Sequence, residues 1–139
     1  MGLKIYVDTN IFLDSILKRD DRISNEVLYF LQDRGFEIVL NDISIVNIHY
    51  FAKKGLKAKE LKKYINILLD NFTIVSVDEV LLKKAINSNF SDFEDGVQYF
   101  CAFSIDADLI ITNDKKGFRN SHIETITSKE FYVKYVKNT

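Results

Sequence analysis

Short apolar runs alternate with longer stretches in which apolar residues recur every three or four positions, the pattern of strands alternating with amphipathic helices. Leu3 to Val7 is a β-prone run that meets the polar Asp8, Thr9 and Asn10, after which helical spacing sets in through Ile11, Phe12, Ser15 and Ile16. A second helix is predicted over Ile23 to Arg34, with Val27, Leu28, Phe30 and Leu31 on its apolar face. Gly35 supplies the stop, and Phe36 to Leu40 reads as the second strand. Asp42 is expected to cap a helix running through Ile45, Ile48 and Tyr50 to Lys54, ended by Gly55. Another amphipathic helix covers Ala58 to Asp70, a third strand Phe72 to Val77, and an Asp78-capped helix Val80 to Asn87. Ser91-Asp92-Phe93-Glu94 has the form of a capping box opening a helix to Ile105. Leu109 to Thr112 and Ile123 to Ile126 read as the last strands, and Thr127-Ser128-Lys129-Glu130 repeats the capping-box spacing before a final helix. This alternation predicts an α/β fold on a parallel sheet.

Composition narrows the class without changing that picture. With 139 residues, 47% hydrophobic and 13% aromatic, the chain has the size of one domain (1–139) and enough apolar surface for a filled core. Its single cysteine, Cys101, lies between Phe100 and Ala102 and reads as a core residue, so neither an internal disulfide nor a Cys/His zinc site is expected. No secretory signal or membrane-length apolar run is apparent, which points to a cytoplasmic protein without a membrane partner. A net charge of −1 excludes global basicity as the means of holding nucleic acid, so such a partner would need local lysines and bound metal.

The carboxylates carry the candidate chemistry. Ligands of an open parallel sheet bind beyond the carboxyl ends of its strands. Asp8 ends the first strand, Asp114 follows the fourth, and Asp92, Glu94 and Asp95 occupy the first turn of the preceding helix, which right-handed crossovers return to the same edge. Carboxylates gathered there repel one another unless protonated or bridged by a divalent cation. Oxygen ligands without His or Cys suit Mg²⁺ or Mn²⁺, which can activate water and stabilise both oxygens of a phosphodiester displacement. The structural alternatives are capping by Asp8 and by Glu94, and a turn role for Asp114; capping does not account for Asp95. Asp106 and Asp108 belong at the opposite rim, and Asp78 reads as a helix cap.

Three segments, IYVDTNIFLD (5–14), SIVNIHYFAKK (44–54) and DFEDGVQYFCAFSIDADLIITNDKKGF (92–118), resemble the PIN-domain family, particularly the branch that includes VapC-like toxins of toxin–antitoxin pairs. Their order and spacing extend the resemblance over essentially the whole chain. It implies a three-layer α/β/α sandwich with a five-stranded parallel sheet, and a Mg²⁺- or Mn²⁺-dependent ribonuclease site. Asp8, Asp95 and Asp114 match the family's acidic positions, Asn10 and Thr112 match polar residues that order the site, and Asp92 looks like an additional acid near the metal. One departure stands out: many members carry Glu where this chain has Asn47, which can coordinate or orient a water but brings no charge. Asp92 or Glu94 could compensate for the missing acid.

The mechanism implied is attack of metal-activated water on a phosphodiester of single-stranded RNA; Lys115, Lys116 and Arg119 either hold RNA phosphates beside the metal or form a solvated turn. The lysines at 53, 54, 57, 59, 62 and 63 read mainly as a solvated face. An antitoxin protein or a second copy of the chain could cover exposed apolar helix faces. A haloacid-dehalogenase-like reading needs an acid where Asn10 stands, and a receiver-like reading through Asp8 and Asp78 leaves Asp92 to Asp95 unexplained. The non-enzymatic alternative is a catalytically degenerate PIN-like module that binds RNA or protein, which Asn47 favours.

Overall fold

The computed structural model describes residues 2–138. The chain runs β1 (Lys4–Val7), α1 (Thr9–Ile16), α2 (Ile23–Asp33), β2 (Glu37–Asn41), α3 (Asp42–Ala52), α4 (Ala58–Asn71), β3 (Thr73–Val75), α5 (Glu79–Ile86), α6 (Phe93–Ser104), β4 (Leu109–Ile111), β5 (Thr125–Ile126) and α7 (Ser128–Phe131), which continues as π-helical turns over Tyr132–Val136. The five strands form one parallel sheet ordered β3-β2-β1-β4-β5. β1 therefore lies centrally, and strand order reverses between β1 and β4, the place where an open sheet leaves a crevice.

Alternation along each strand divides the core into two layers. Ile5, Val7, Ile38, Leu40, Ile111 and Ile126 face one layer, packed by Phe12, Leu28, Ile48, Leu61 and Phe131. Tyr6, Val39 and Ile110 face the other, packed by Leu81, Val97, Tyr99 and Phe118. The result is the expected helix–sheet–helix sandwich, with α5 and α6 on the second face.

Helix ends follow local chemistry, with two corrections. Gly35 adopts φ +76°, the left-handed conformation that ends α2. Asn41, not Asp42, caps α3: still in sheet register opposite Val75, its Oδ1 accepts from Ser44 N at 2.7 Å. The Asp42 carboxylate instead accepts from Ile43 N and Val77 N, tying the start of α3 to the segment leaving β3. Asp92, not Ser91, caps α6, its Oδ1 accepting from Asp95 N at 3.0 Å. The predicted Ser91–Glu94 box is therefore absent. The second box is present: Thr127 Oγ1 accepts from Glu130 N, and Glu130 Oε1 accepts from Thr127 N. β5 is shorter than expected because Ile123 is held in a turn by the Ser121 hydroxyl.

Phe12 is fully buried, its ring 6.1 Å from that of Phe72. Phe12→Ala should lower stability by about 3–5 kcal/mol, read as a reduced urea midpoint with an unchanged m-value.

Candidate active site

Asp8 stands at the carboxyl end of the central strand and is 3% exposed. Burial alone would make its charge costly, and three donors answer it. Thr112 Oγ1 donates to Oδ2 at 2.7 Å, Gln98 Nε2 to Oδ1 at 3.1 Å, and the Asn10 backbone N–H to Oδ1 at 3.3 Å. Asn10 thus orders the site through its main chain, while its side chain is exposed. Thr112 also accepts from Asp114 N at 3.0 Å, so one hydroxyl links the first and fourth strand ends.

Asp95 and Asp114 arrive from α6 and from the turn after β4. The Gly117 N–H closes that turn by donating to Asp114 Oδ1 at 3.0 Å. A Cβ on Gly117 would meet Oδ2 of both Asp95 and Asp114, so the tips of these two carboxylates approach the same point above the turn. Asp92 stays at the rim, one oxygen committed to its helix cap. Glu94, free of any capping box, accepts from Asn47 Nδ2 at 2.8 Å. Asn47 therefore spans from α3 to α6 and positions a carboxylate.

The electrostatics follow from how close these acids lie. The Asp95 carboxyl is pushed up to about 7, first by burial and then by the charges of Asp8, Asp92, Asp114 and Glu94. Asp8 is raised by burial and by Asp114, against the lowering effect of its donors. Glu94 is raised by burial, partly offset by Asn47. Among the described residues these acids do not close into a three-carboxylate cage. Both Asp8 oxygens and one of Asp114 are already engaged by the protein. An all-oxygen set with a leaning pair still fits Mg²⁺ or Mn²⁺, since Mg²⁺ is usually held by one or two carboxylates and completed by waters and phosphate oxygens.

The predicted basic residues split. Lys115 pairs with Glu130 at 3.3 Å, while Lys116 and Arg119 are exposed on the same turn. The lysines at 53, 54, 57, 59, 62 and 63 are all exposed, as a solvated face should be, with Lys53 resting over the Tyr50 ring. Asp78 caps α5, and Asp108 accepts from Lys4 N at the opposite rim, both as expected. A cavity of about 550 Å³ also lies at that far rim, between Phe30, Leu109 and Tyr135. It holds none of the clustered acids. No helix among the described residues is long and apolar enough to cross a membrane.

Sequence reasoning missed the polar network beneath Asp8. Gln98, 1% exposed, accepts from Thr9 N at 3.1 Å while donating to Asp8. Thr9 shares a 2.7 Å hydrogen bond with Ser44, and Asn41 Nδ2 donates to Tyr6 Oη at 2.9 Å. The available signal was a glutamine inside the apolar run of α6, three residues after Asp95 and hence on the same face.

The PIN domain model matches residues 4–116, a span that contains Asp8, Asp95 and Asp114. The chain belongs to the PIN-domain family. It is 30% identical over 138 residues to Ribonuclease VapC1 of Aquifex aeolicus (strain VF5), covering 92% of each chain. Its fold is similar to the complex of VapBC2 from Rickettsia felis with a promoter DNA fragment, at TM-score 0.66 and 17% identity over 90% of this chain and 98% of that one. It is also similar to a toxin–antitoxin complex from Klebsiella pneumoniae, at TM-score 0.67 and 17% identity over 89% and 97%.

Two outcomes are expected. Folding raises the Asp95 carboxyl from 3.8 to about 7, so the folded state gains a proton; this stabilisation is complete below 3.8 and lost as pH rises through about 7. In EDTA, Asp95→Asn should match the native chain near the acid end and exceed its stability at pH 8 by on the order of 1 kcal/mol after solvent screening, read by thermal melts. Gln98→Leu strands the Thr9 N–H and should cost about 1–3 kcal/mol in urea unfolding.

Proposed function

We propose that the chain is a divalent-metal-dependent endoribonuclease acting on single-stranded RNA, the toxin of a toxin–antitoxin pair. The observation that carries this reading is the convergence of Asp8, Asp95 and Asp114 from three separate elements at the sheet's switch point, with the Asp95 and Asp114 carboxylates meeting beside Gly117. The likeness to a ribonuclease along the chain, and to toxin–antitoxin complexes in fold, supports it.

In this reading Asp95 and Asp114 hold Mg²⁺ or Mn²⁺ together with Asp8, and Asp92 adds charge at the rim. Held there, such an ion would supply activation of a water and charge neutralisation at the phosphate. Thr112, Gln98 and the Asn10 N–H fix Asp8, so its oxygens need no reorganisation when substrate arrives. Asn47 orients Glu94 across the cleft. Lys116 and Arg119, exposed beside Asp114, take flanking phosphates, and Lys115 joins them by leaving Glu130. The proposal extends to a cytoplasmic protein that forms homodimers and is restrained by an antitoxin; the exposed Val46 and Tyr50 of α3 supply apolar surface for such contacts.

The test is cleavage of structured and unstructured RNA by the purified chain with Mg²⁺, Mn²⁺ or EDTA. Cleavage should require the metal, prefer unstructured RNA, and fall on the order of 100-fold in Asp8→Asn and in Asp114→Asn. Asn47, which adds no charge, favours a second reading as a binding module. RNA or partner binding by folded protein that never cuts would establish that reading instead.

A further inference from the structure

Beside the acids a cleft of about 360 Å³ opens between α3 and α6, lined by Ile43, Asn47, Phe51, Phe93, Glu94 and Gln98 among others. Its floor is continuous with the candidate active site, because the Gln98 amide that lines it also donates to Asp8. Phe51 and Phe93 are 53% and 46% exposed, large rings left in water at the mouth of a concave site. No lysine or arginine lines the cleft, so its chemistry does not suit a phosphate. Flat apolar walls suit a nucleobase, which stacks on aromatic side chains when RNA is single-stranded.

The polar edge narrows which base. Asn47 Nδ2 donates to Glu94 Oε2 at 2.8 Å. That bond fixes both side chains and leaves Asn47 Oδ1 and Glu94 Oε1 without partners among the described residues. The edge therefore offers acceptors. Asn41, Ser44 and Gln98 below it are already bonded to Tyr6, to each other through Thr9, and to Asp8. Guanine is the base whose Watson–Crick edge presents two adjacent donors, N1–H and the N2 amine, the spacing a carboxylate can accept from together. Adenine and cytosine offer one exocyclic amine there, and the single N3–H of uracil is flanked by carbonyl oxygens that would face the cleft's own acceptors.

We infer that the cleft between α3 and α6 is a base-recognition site that takes a guanine of single-stranded RNA next to the scissile phosphate, with Glu94, held by Asn47, reading its donor edge and Phe51 and Phe93 covering its faces. This inference rests on the ribonuclease reading and deepens it. It gives the Asn47–Glu94 pair a role in specificity.

The full-length chain is incubated with Mn²⁺ and single-stranded RNA randomised in sequence, and the cut ends are mapped. Guanine should be enriched roughly tenfold or more at one position beside the cut. Replacing that guanine by inosine, which lacks the N2 amine, should weaken cleavage several-fold, in line with loss of one of two hydrogen bonds. Glu94→Gln should erase the guanine-over-inosine ratio, and Phe93→Ala should weaken binding of the guanine-containing RNA roughly tenfold with its melting temperature retained. Metal-dependent cleavage with no base enriched, or with an enrichment that neither variant alters, overturns the inference while leaving the nuclease intact. A shift in oligomeric state on Phe93→Ala with base preference unchanged assigns the cleft to a second copy and also overturns it. If the native chain cuts no RNA, the nuclease reading fails separately. Fluorescence anisotropy of guanine- and inosine-containing heptamers then decides, and equal affinities overturn the base site.

Discussion

A carboxylate buried at the end of the central strand needs partners, and the way Asp8 finds them organises the molecule around it. Its donors come from the adjacent α1 and, across most of the chain, from α6 and the end of β4. Each is tied in turn to something else: Thr112 to the Asp114 turn, Gln98 to Thr9, Thr9 to Ser44, and Ser44 to Asn41 at the start of α3. Among the described residues no buried side-chain polar atom lacks a partner. A network completed in this way rigidifies, because removing one member leaves a desolvated group behind. The same bonds that make Asp8 tolerable also fix the mutual placement of α1, α3, α6 and the β4 turn.

Around this fixed point the acids are arranged against stability. Asp95 is raised by burial and by the charges of Asp8, Asp92, Asp114 and Glu94, and Glu94 by burial and by Asp8 and Asp92, with no lysine or arginine among the described residues lowering either. Lys115, the nearest cation in sequence to Asp114, turns to Glu130 instead. Burial and like charges brought together are the features by which a functional site departs from the packing logic of the rest.

Asn47 takes its meaning from its partner. As an isolated residue it reads as an acid that is missing; in the fold it is the donor that holds Glu94 across the cleft. Ser91 and Asp42 make the same point for helix ends. Each has a side chain able to cap, yet the cap falls one residue away, on Asp92 and on Asn41, because these are the last extended residues before each helix begins. Such one-residue shifts matter at this site. Capping by Asp92 puts Asp95 at the third helical position, with its N–H satisfied and its side chain free to meet Asp114 over Gly117.

The sequence by itself determined the alternation of strands and helices, the parallel sheet, the two capping devices at Asp78 and Thr127, and the edge on which Asp8, Asp95 and Asp114 fall. These follow from periodicity and from local hydrogen bonds within a few residues, information that each segment carries alone. Only the tertiary structure decided that Gln98 supports Asp8, that Asn47 grips Glu94, that Asp95 meets Asp114 beside Gly117, and that Phe51 and Phe93 line one cleft. Those pairings join residues tens of positions apart. They depend on how helices pack across the sheet, a sum of many weak apolar contacts that no single stretch of chain encodes.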